Sequence, residues 1–279
     1  MKVKAAVLRE SGKPLPYANS LPLSIEEVEL DPPQSGEVLV QIKAAGLCHS
    51  DLVAIDGERA KPMPMVIGHE AAGIVCKLGP EVERLAVGDH VVPSYVASCG
   101  RCDMCQEGRP ALCHPATVAN KAGTLIDGTT RLHDNGQRIY HHSGVAAFSE
   151  YAVISQNALV KIDPKIPFEV AALFGCAVVT GVGSVVNTAN VSPGESVAIV
   201  GLGGVGLNAL LASIASGAGR VIAVDVKEKK LKIASQLGAH NTFNSTLENC
   251  VEQILELTDG GVHFAFETAG VSPALDLAY

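Results

Sequence analysis

Ser196–Gly206 reads SVAIVGLGGVG, and a second apolar run, RVIAVD, closes on Asp225. SVAIV has the length and branched side chains of a buried strand, and the LNALLASIAS that follows has a helical period. Between them the glycines fall as Gly201-x-Gly203-x-x-Gly206, with Gly204 beside the second. In a strand–turn–helix the first glycine permits the tight turn and the second lets backbone approach a pyrophosphate. The third brings helix against strand, and the helix N-terminus faces the anion. Asp225 follows about 20 residues later, where a carboxylate hydrogen-bonds both ribose hydroxyls of an adenosine and repels a 2′-phosphate. The stretch predicts a dinucleotide-binding α/β unit that takes NAD in preference to NADP. The competing reading is a glycine-rich turn in an unliganded α/β domain.

Working outward, strand and helix patterns alternate toward the C-terminus: EKKLKIASQL, HNTF, ENCVEQILELT and VHFAFE. Such alternation implies a parallel sheet with right-handed crossovers. Four strands are expected, at Ser196–Val200, Arg220–Asp225, His240–Phe243 and Val262–Glu267, where a full dinucleotide fold has six. The sequence reaches Tyr279 inside the expected next helix, which reads as a C-terminal truncation leaving the fourth strand as an apolar edge. Toward the N-terminus the texture changes near Phe168. Residues 1–160 carry the runs KAAVL, EVLVQIKAAG, AAGIVCKLG, GDHVVPSYV, FSEYAVI and ALVKI, broken by Gly and Pro. They predict a twisted antiparallel or barrel-like β domain. The domains expected are 1–170 and 171–279. Cys99–His142 lacks a periodic pattern and reads as a long excursion pinned at its base.

The chain has 279 residues, a net charge of −8 and 47% hydrophobic residues. A pI near 5.6 and the absence of a basic stripe argue against nucleic acid or an anionic membrane as the main partner. Val170–Gly194 and Ser196–Gly219 contain no charged residue, so length alone permits membrane helices. Their polar and glycine content, and flanks without a Lys/Arg bias, favour buried α/β core instead. MKVKAAVLRE has no apolar signal region. The eight cysteines are therefore expected to be reduced and the chain cytoplasmic.

Four of them stand as Cys99-x2-Cys102-x2-Cys105-x7-Cys113. Four thiolates on one short loop close a tetrahedral shell around Zn²⁺ and leave no open position. An iron–sulfur cluster is the alternative, although the bacterial ferredoxin run has a last gap of three residues. Free thiols are the other. Cys76 and Cys250 have no metal-like neighbours and read as small hydrophobes. Gly46-Leu-Cys48-His49-Ser50-Asp51 and Gly68-His69-Glu70 each place potential ligands after an apolar run. Spacing alone does not connect them to each other or to Cys176.

GLCHSD at 46–51, GHEAAGIV at 68–75, the four-cysteine loop, GCAVVTGVG at 175–183 and GLGGVG at 201–206 occur in one order. In this combination the chain resembles the zinc-dependent medium-chain alcohol dehydrogenases, in their class III-like branch, over its whole length. The resemblance implies a GroES-like β-rich catalytic domain, with a structural-zinc loop at 95–115, followed by an incomplete Rossmann domain. It implies two zinc ions, and NAD as cofactor. Cys48, His69 and Cys176 would hold a catalytic zinc open to an alcohol oxygen, with Glu70 beside it as an occasional ligand. Cys99, Cys102, Cys105 and Cys113 would hold the structural zinc. Asp51 would orient His69, and Ser50 would take the alcohol proton. Thr180 and Val205 would pack the nicotinamide, Lys230 would reach the adenosine ribose, and Tyr95 would line the substrate pocket. His49 stands where some relatives place an arginine on the pyrophosphate, and Val53 where many carry a proton-relay histidine. The implied reaction is hydride transfer between a small alcohol and NAD, in a family of homo-oligomers whose dimer strand is not encoded here. The alternative is a non-catalytic, zinc-stabilised module of the same family.

Overall fold

In the computed structural model every residue except Val96 is described. Val96, the last residue of the expected strand Gly88–Val96 and part of the loop 95–115, lies outside the described residues. The chain forms two compact units, Met1–Cys176 and Ala177–Tyr279.

Among the described residues the first unit has ten strands: β1 (Lys2–Leu8), β2 (Leu23–Leu30), β3 (Glu37–Gly46), β4 (Met65–Val66), β5 (Glu70–Leu78), β6 (His90–Pro93), β7 (Leu132–Asp134), β8 (Gln137–His141), β9 (Tyr151–Ser155) and β10 (Leu159–Lys161). They make a closed barrel, β1-β2-β7-β8-β4, and a five-stranded sheet, β10-β6-β5-β3-β9. One apolar cluster fills the barrel around Val7, Val28, Leu132 and Ile139. Another lies on the five-stranded sheet around Val38, Val40, Val91 and Ile154. The central pair β3/β5 matters most for function. Its register sets Gly46 opposite Glu70, so the segments leading to Cys48 and out of His69 leave the sheet side by side.

Cys99–His142 departs from the expected irregular excursion. It carries the helix His114–Ala122 and both β7 and β8. These strands gain order only by pairing, β7 with β2 and β8 with β4, so their polar sequence shows no periodicity of its own. β2 likewise carries no clear alternation in the sequence, because Glu26-Glu27 interrupts it before Val28 and Leu30 turn inward.

The barrel has one acid-sensitive joint. His141 is fully buried, its Nε2 accepts the Arg131 backbone N–H at 3.1 Å, and its Nδ1 has no partner among the described residues. Burial, then the Arg131 charge, lowers its pKa to about 4. Because the folded value lies below the unfolded one near 6.5, the unfolded chain binds the proton first. The stability held by neutral His141 is therefore complete above pH 6.5 and is lost as pH falls toward 4, by roughly 3 kcal/mol. Urea melts of wild type and His141→Gln between pH 7.5 and 4 should show this slope in the first and not the second.

The second unit contains β11 (Ser196–Val200), β12 (Arg220–Asp225), β13 (Asn241–Asn244) and β14 (Phe264–Glu267). All pair in parallel, in the order β13-β12-β11-β14. Helices Gly204–Ala215, Glu228–Gln236 and Cys250–Leu257 connect them. Val197, Ile199, Val221 and Ala223 pack one face, and Ala198, Val200, Ile222 and Val224 the other. Burial on both faces explains the unbroken apolar runs. Among the described residues no single helix is long and apolar enough to cross a membrane, and one bent pair, Phe168–Gly175 with Ala177–Ala189, passes by length and composition only.

Candidate functional site

β3 delivers Cys48 to the start of the helix His49–Asp56, where the Cys48 backbone N–H donates to Asp51 Oδ2 at 3.0 Å. Asp51 Oδ1 accepts from the Gly68 backbone N–H at 3.1 Å and lies 3.2 Å from His69 Nδ1. One buried carboxylate thus ties both chain segments together and fixes the imidazole, leaving its Nε2 for another partner. Cys176 arrives from the far end of the unit, where the backbone breaks out of helix at φ −139°, ψ −75°. Its Sγ lies 3.8 Å from Cys48 Sγ, across 128 residues of sequence. Donor atoms of Cys48, His69, Glu70 and Cys176 all fall within 4.8 Å of one another, and all of these residues but Cys48 are buried.

Such crowding is electrostatically costly for bare groups. Hydrogen bonds from Cys176 and then His69 drive Cys48 toward the thiolate, to about 3. The hydrogen bond to Cys48, then burial, holds Cys176 as a thiol. Burial alone would depress His69, but Asp51 and Cys48 outweigh it and raise the imidazole to about 9. Two sulfurs, one nitrogen and a reserve carboxylate are a donor set that a divalent, borderline-soft cation satisfies. The residues fit zinc with a position to spare.

Ser50, Val53, His69, Tyr95 and His142 line one cavity of about 100 Å³. The Tyr95 ring stands edge-on to His69 at 6.1 Å. His49 and Ser50 are exposed on the same helix start. His142 was not singled out from the sequence: its Nδ1 lies 2.9 Å from Asp51 Oδ1 and its ring stands edge-on to His69 at 5.1 Å. The His141-His142 doublet is the only local signal, and nothing in the spacing points it at Asp51.

In the loop, Cys99, Cys102, Cys105 and Cys113 also bring their sulfurs within 4.8 Å. Cys102 Sγ is 3.5 Å from Cys105 Sγ and 3.9 Å from Cys113 Sγ, far beyond a disulfide bond. The backbone N–H groups of Cys102 and Cys99 donate to the sulfurs of Cys99 and Cys113, each at 3.3 Å. Hydrogen bonding, first from Arg101, lowers Cys99 to about 6, while burial raises Cys105 to about 11. Four sulfurs aimed at one point form a closed shell.

In the second unit Gly201–Gly206 joins β11 to its helix. Asp225 braces that turn, accepting the Leu202 and Lys227 backbone N–H groups at 2.8 and 2.9 Å. Burial pushes the carboxyl up, but these donors and Lys230 hold it below its ordinary range. Lys230 Nζ lies 3.2 Å from Asp225 Oδ2, so both predicted ribose contacts stand together. Thr180 is exposed on the helix Ala177–Gly183, which packs on the helix carrying Val205. A Cβ built on Gly203 meets nothing within 4 Å, whereas one on Gly206 collides with the Gly201 carbonyl oxygen. The first glycine position is a cradle left open, and the second is a packing requirement.

Residues 34–164 match the alcohol dehydrogenase GroES-like domain family, and residues 204–279 match the zinc-binding dehydrogenase family. An S-(hydroxymethyl)glutathione dehydrogenase from Synechocystis sp. is 42% identical over 273 residues, spanning 97% of this chain and 72% of the relative. The chain belongs to the zinc-dependent medium-chain alcohol dehydrogenases. A second S-(hydroxymethyl)glutathione dehydrogenase, from Escherichia coli O1:K1 / APEC, is 39% identical over the same share. Benzyl alcohol dehydrogenase from Acinetobacter calcoaceticus is 37% identical with a TM-score of 0.90, covering 100% of this chain and 73% of that one. A zinc-binding-domain alcohol dehydrogenase from Burkholderia ambifaria gives 0.92 at 38% identity, again over 100% and 73%. The fold is the family's GroES-like domain followed by a Rossmann-type domain. These dehydrogenases are zinc-dependent oxidoreductases acting between alcohols and NAD, and zinc and NAD are the family's cofactors.

Proposed function

We propose that this chain oxidises a small alcohol to its aldehyde or ketone, with NAD as hydride acceptor, at the Cys48–His69–Cys176 site. The observation that supports this most is the 3.8 Å approach of Cys48 and Cys176 beside a buried, Asp51-bound His69. When bound, zinc supplies a Lewis acid for the alcohol oxygen, and NAD supplies the acceptor for the hydride. Cys48 and Cys176 contribute two anionic donors and His69 a neutral one. Glu70 stands in reserve as a second acid at the same point. Asp51 keeps His69 in one tautomer and orientation. Ser50 Oγ receives the alcohol proton, and Tyr95 walls the pocket. The apolar Val53 passes no proton, so release runs through solvent. Cys99, Cys102, Cys105 and Cys113 hold the structural zinc.

On the cofactor side Gly201, Gly203, Gly204 and Gly206 take the pyrophosphate, and Asp225 with Lys230 takes the ribose. Thr180 and Val205 pack the nicotinamide, and His49 offers an imidazole donor toward the phosphates. We assign residues 1–170, including loop 95–115, to the catalytic domain and 171–279 to the nucleotide domain. The partners are small-molecule alcohols rather than nucleic acid or membrane, and the setting is the cytoplasm; homo-oligomers are the family's assembly, whose dimer strand this sequence does not encode. NADH formation by the zinc-loaded chain across a panel of alcohols tests the reading. Two zincs per chain with neither turnover nor NAD binding would refute it in favour of a zinc-stabilised module.

The two glycines separate ligand from fold. Gly203→Ala should weaken NAD binding about tenfold or more while leaving Tm nearly unchanged, because its Cβ fills only the cradle. Gly206→Ala should cost about 1–3 kcal/mol of stability by overpacking. Fluorescence titration of NADH and thermal melts distinguish them, and equal behaviour of the two variants would contradict the assignment.

A further inference from the structure

The chain is acidic overall, at −8, yet the cavity walls next to the metal-ligand group are basic. Arg59 and Lys61 line the same 100 Å³ cavity as Ser50, His69 and Tyr95. A larger cavity of about 350 Å³ shares Arg59, Lys61 and Tyr95 as walls and adds Lys121. Among the described residues, no Asp or Glu lines either. Lys61 is half-buried, and among the described residues its Nζ hydrogen-bonds neutral oxygens of Asn120, at 3.3 and 3.4 Å. Neither Arg59 nor Lys61 takes part in an ion pair among the described residues, although twelve such contacts occur elsewhere. Burial, then the neighbouring Arg59, holds the Lys61 amine below its ordinary range. Arg59 is exposed and Lys61 half-buried, and both border the cavity that Ser50 also lines. Uncompensated like charges are tolerated there when a ligand brings the opposite charge.

We propose that Arg59 and Lys61 recognise a carboxylate on the substrate, so that the preferred alcohol is a small monoanion with its hydroxyl and carboxylate at opposite ends. This rests on the dehydrogenase reading above. Guanidinium and ammonium both donate charge-assisted hydrogen bonds to carboxylate oxygens. No carboxylate in these walls receives an ammonium, so a cationic or zwitterionic alcohol gains nothing from them.

The test compares 4-(hydroxymethyl)benzoate, 4-methylbenzyl alcohol and 4-(aminomethyl)benzyl alcohol as substrates of the full, zinc-loaded chain. In parallel, calorimetry measures binding of the unreactive 4-methylbenzoate. The anionic alcohol should lead the neutral one by about 10- to 100-fold in kcat/KM at low salt. That lead should shrink in high salt and fall to near parity in Arg59→Gln/Lys61→Met, with calorimetric binding falling alongside. Salt dependence in wild type, and the single variant at exposed Arg59, provide the same reading should the double variant fold poorly. Equal turnover of anionic and neutral alcohols, with unaltered 4-methylbenzoate binding in the variants, overturns the proposal and leaves the dehydrogenase reading standing. No turnover of any alcohol overturns that reading, while variant-sensitive 4-methylbenzoate binding would still support the anion site. Variants that change only NAD affinity would assign the two cations to the cofactor's phosphates and overturn the proposal.

Discussion

Cys176→Ser removes one of two zinc ions per chain and lowers kcat/KM by about a thousandfold or more, the scale set by losing a Lewis acid worth several kcal/mol. The substitution changes one atom at a buried site, 9% exposed, so Tm should move little relative to the loss in turnover. A serine hydroxyl is a harder, far less acidic donor than a thiol and cannot replace it as an anionic ligand to zinc. Zinc stoichiometry by plasma emission and steady-state kinetics on the same preparation check the result. Retention of both ions with near wild-type turnover would mean that Cys176 is only a packed helix residue.

Cys113→Ser should do the reverse, removing the other zinc with a large loss of stability and a smaller direct effect on chemistry. The loop between Cys99 and Cys113 has almost nothing else to hold it. Its short helices, Asp103–Gln106 and Pro110–Leu112, bury no residue, whereas Cys113 itself is wholly buried. Apparent zinc binding to small Cys/His sites is worth about 10–16 kcal/mol. Losing even a third of that lowers Tm by about 10 °C in a chain of this size. Thermal melts with and without a chelator measure it, and iron in place of zinc in the purified protein would instead identify a cluster.

Legibility in the sequence followed the range of the interactions. Gly201–Gly206, Asp225 and the four-cysteine loop are local patterns whose spacing already carries the chemistry, and the parallel order of β11–β14 follows from their alternation with helices. Cys48, His69 and Cys176 are different. No spacing rule joins them, and only the resemblance tied them before the sheet pairing of Gly46 with Glu70 brought two of the segments together. β7 and β8 stayed hidden because their order comes from barrel partners rather than from their own periodicity. Arg59, Lys61 and His142 stand in no motif or ligand spacing of the sequence. Their meaning depends on which cavity they line, which is a tertiary fact.

The most direct measurement is anomalous diffraction at the zinc edge from crystals of the zinc-loaded chain. Two peaks per chain are expected, one within the four-cysteine loop and one touching Cys48 Sγ, His69 Nε2 and Cys176 Sγ together. A single peak at the loop, or a second peak away from those three atoms, would contradict the account.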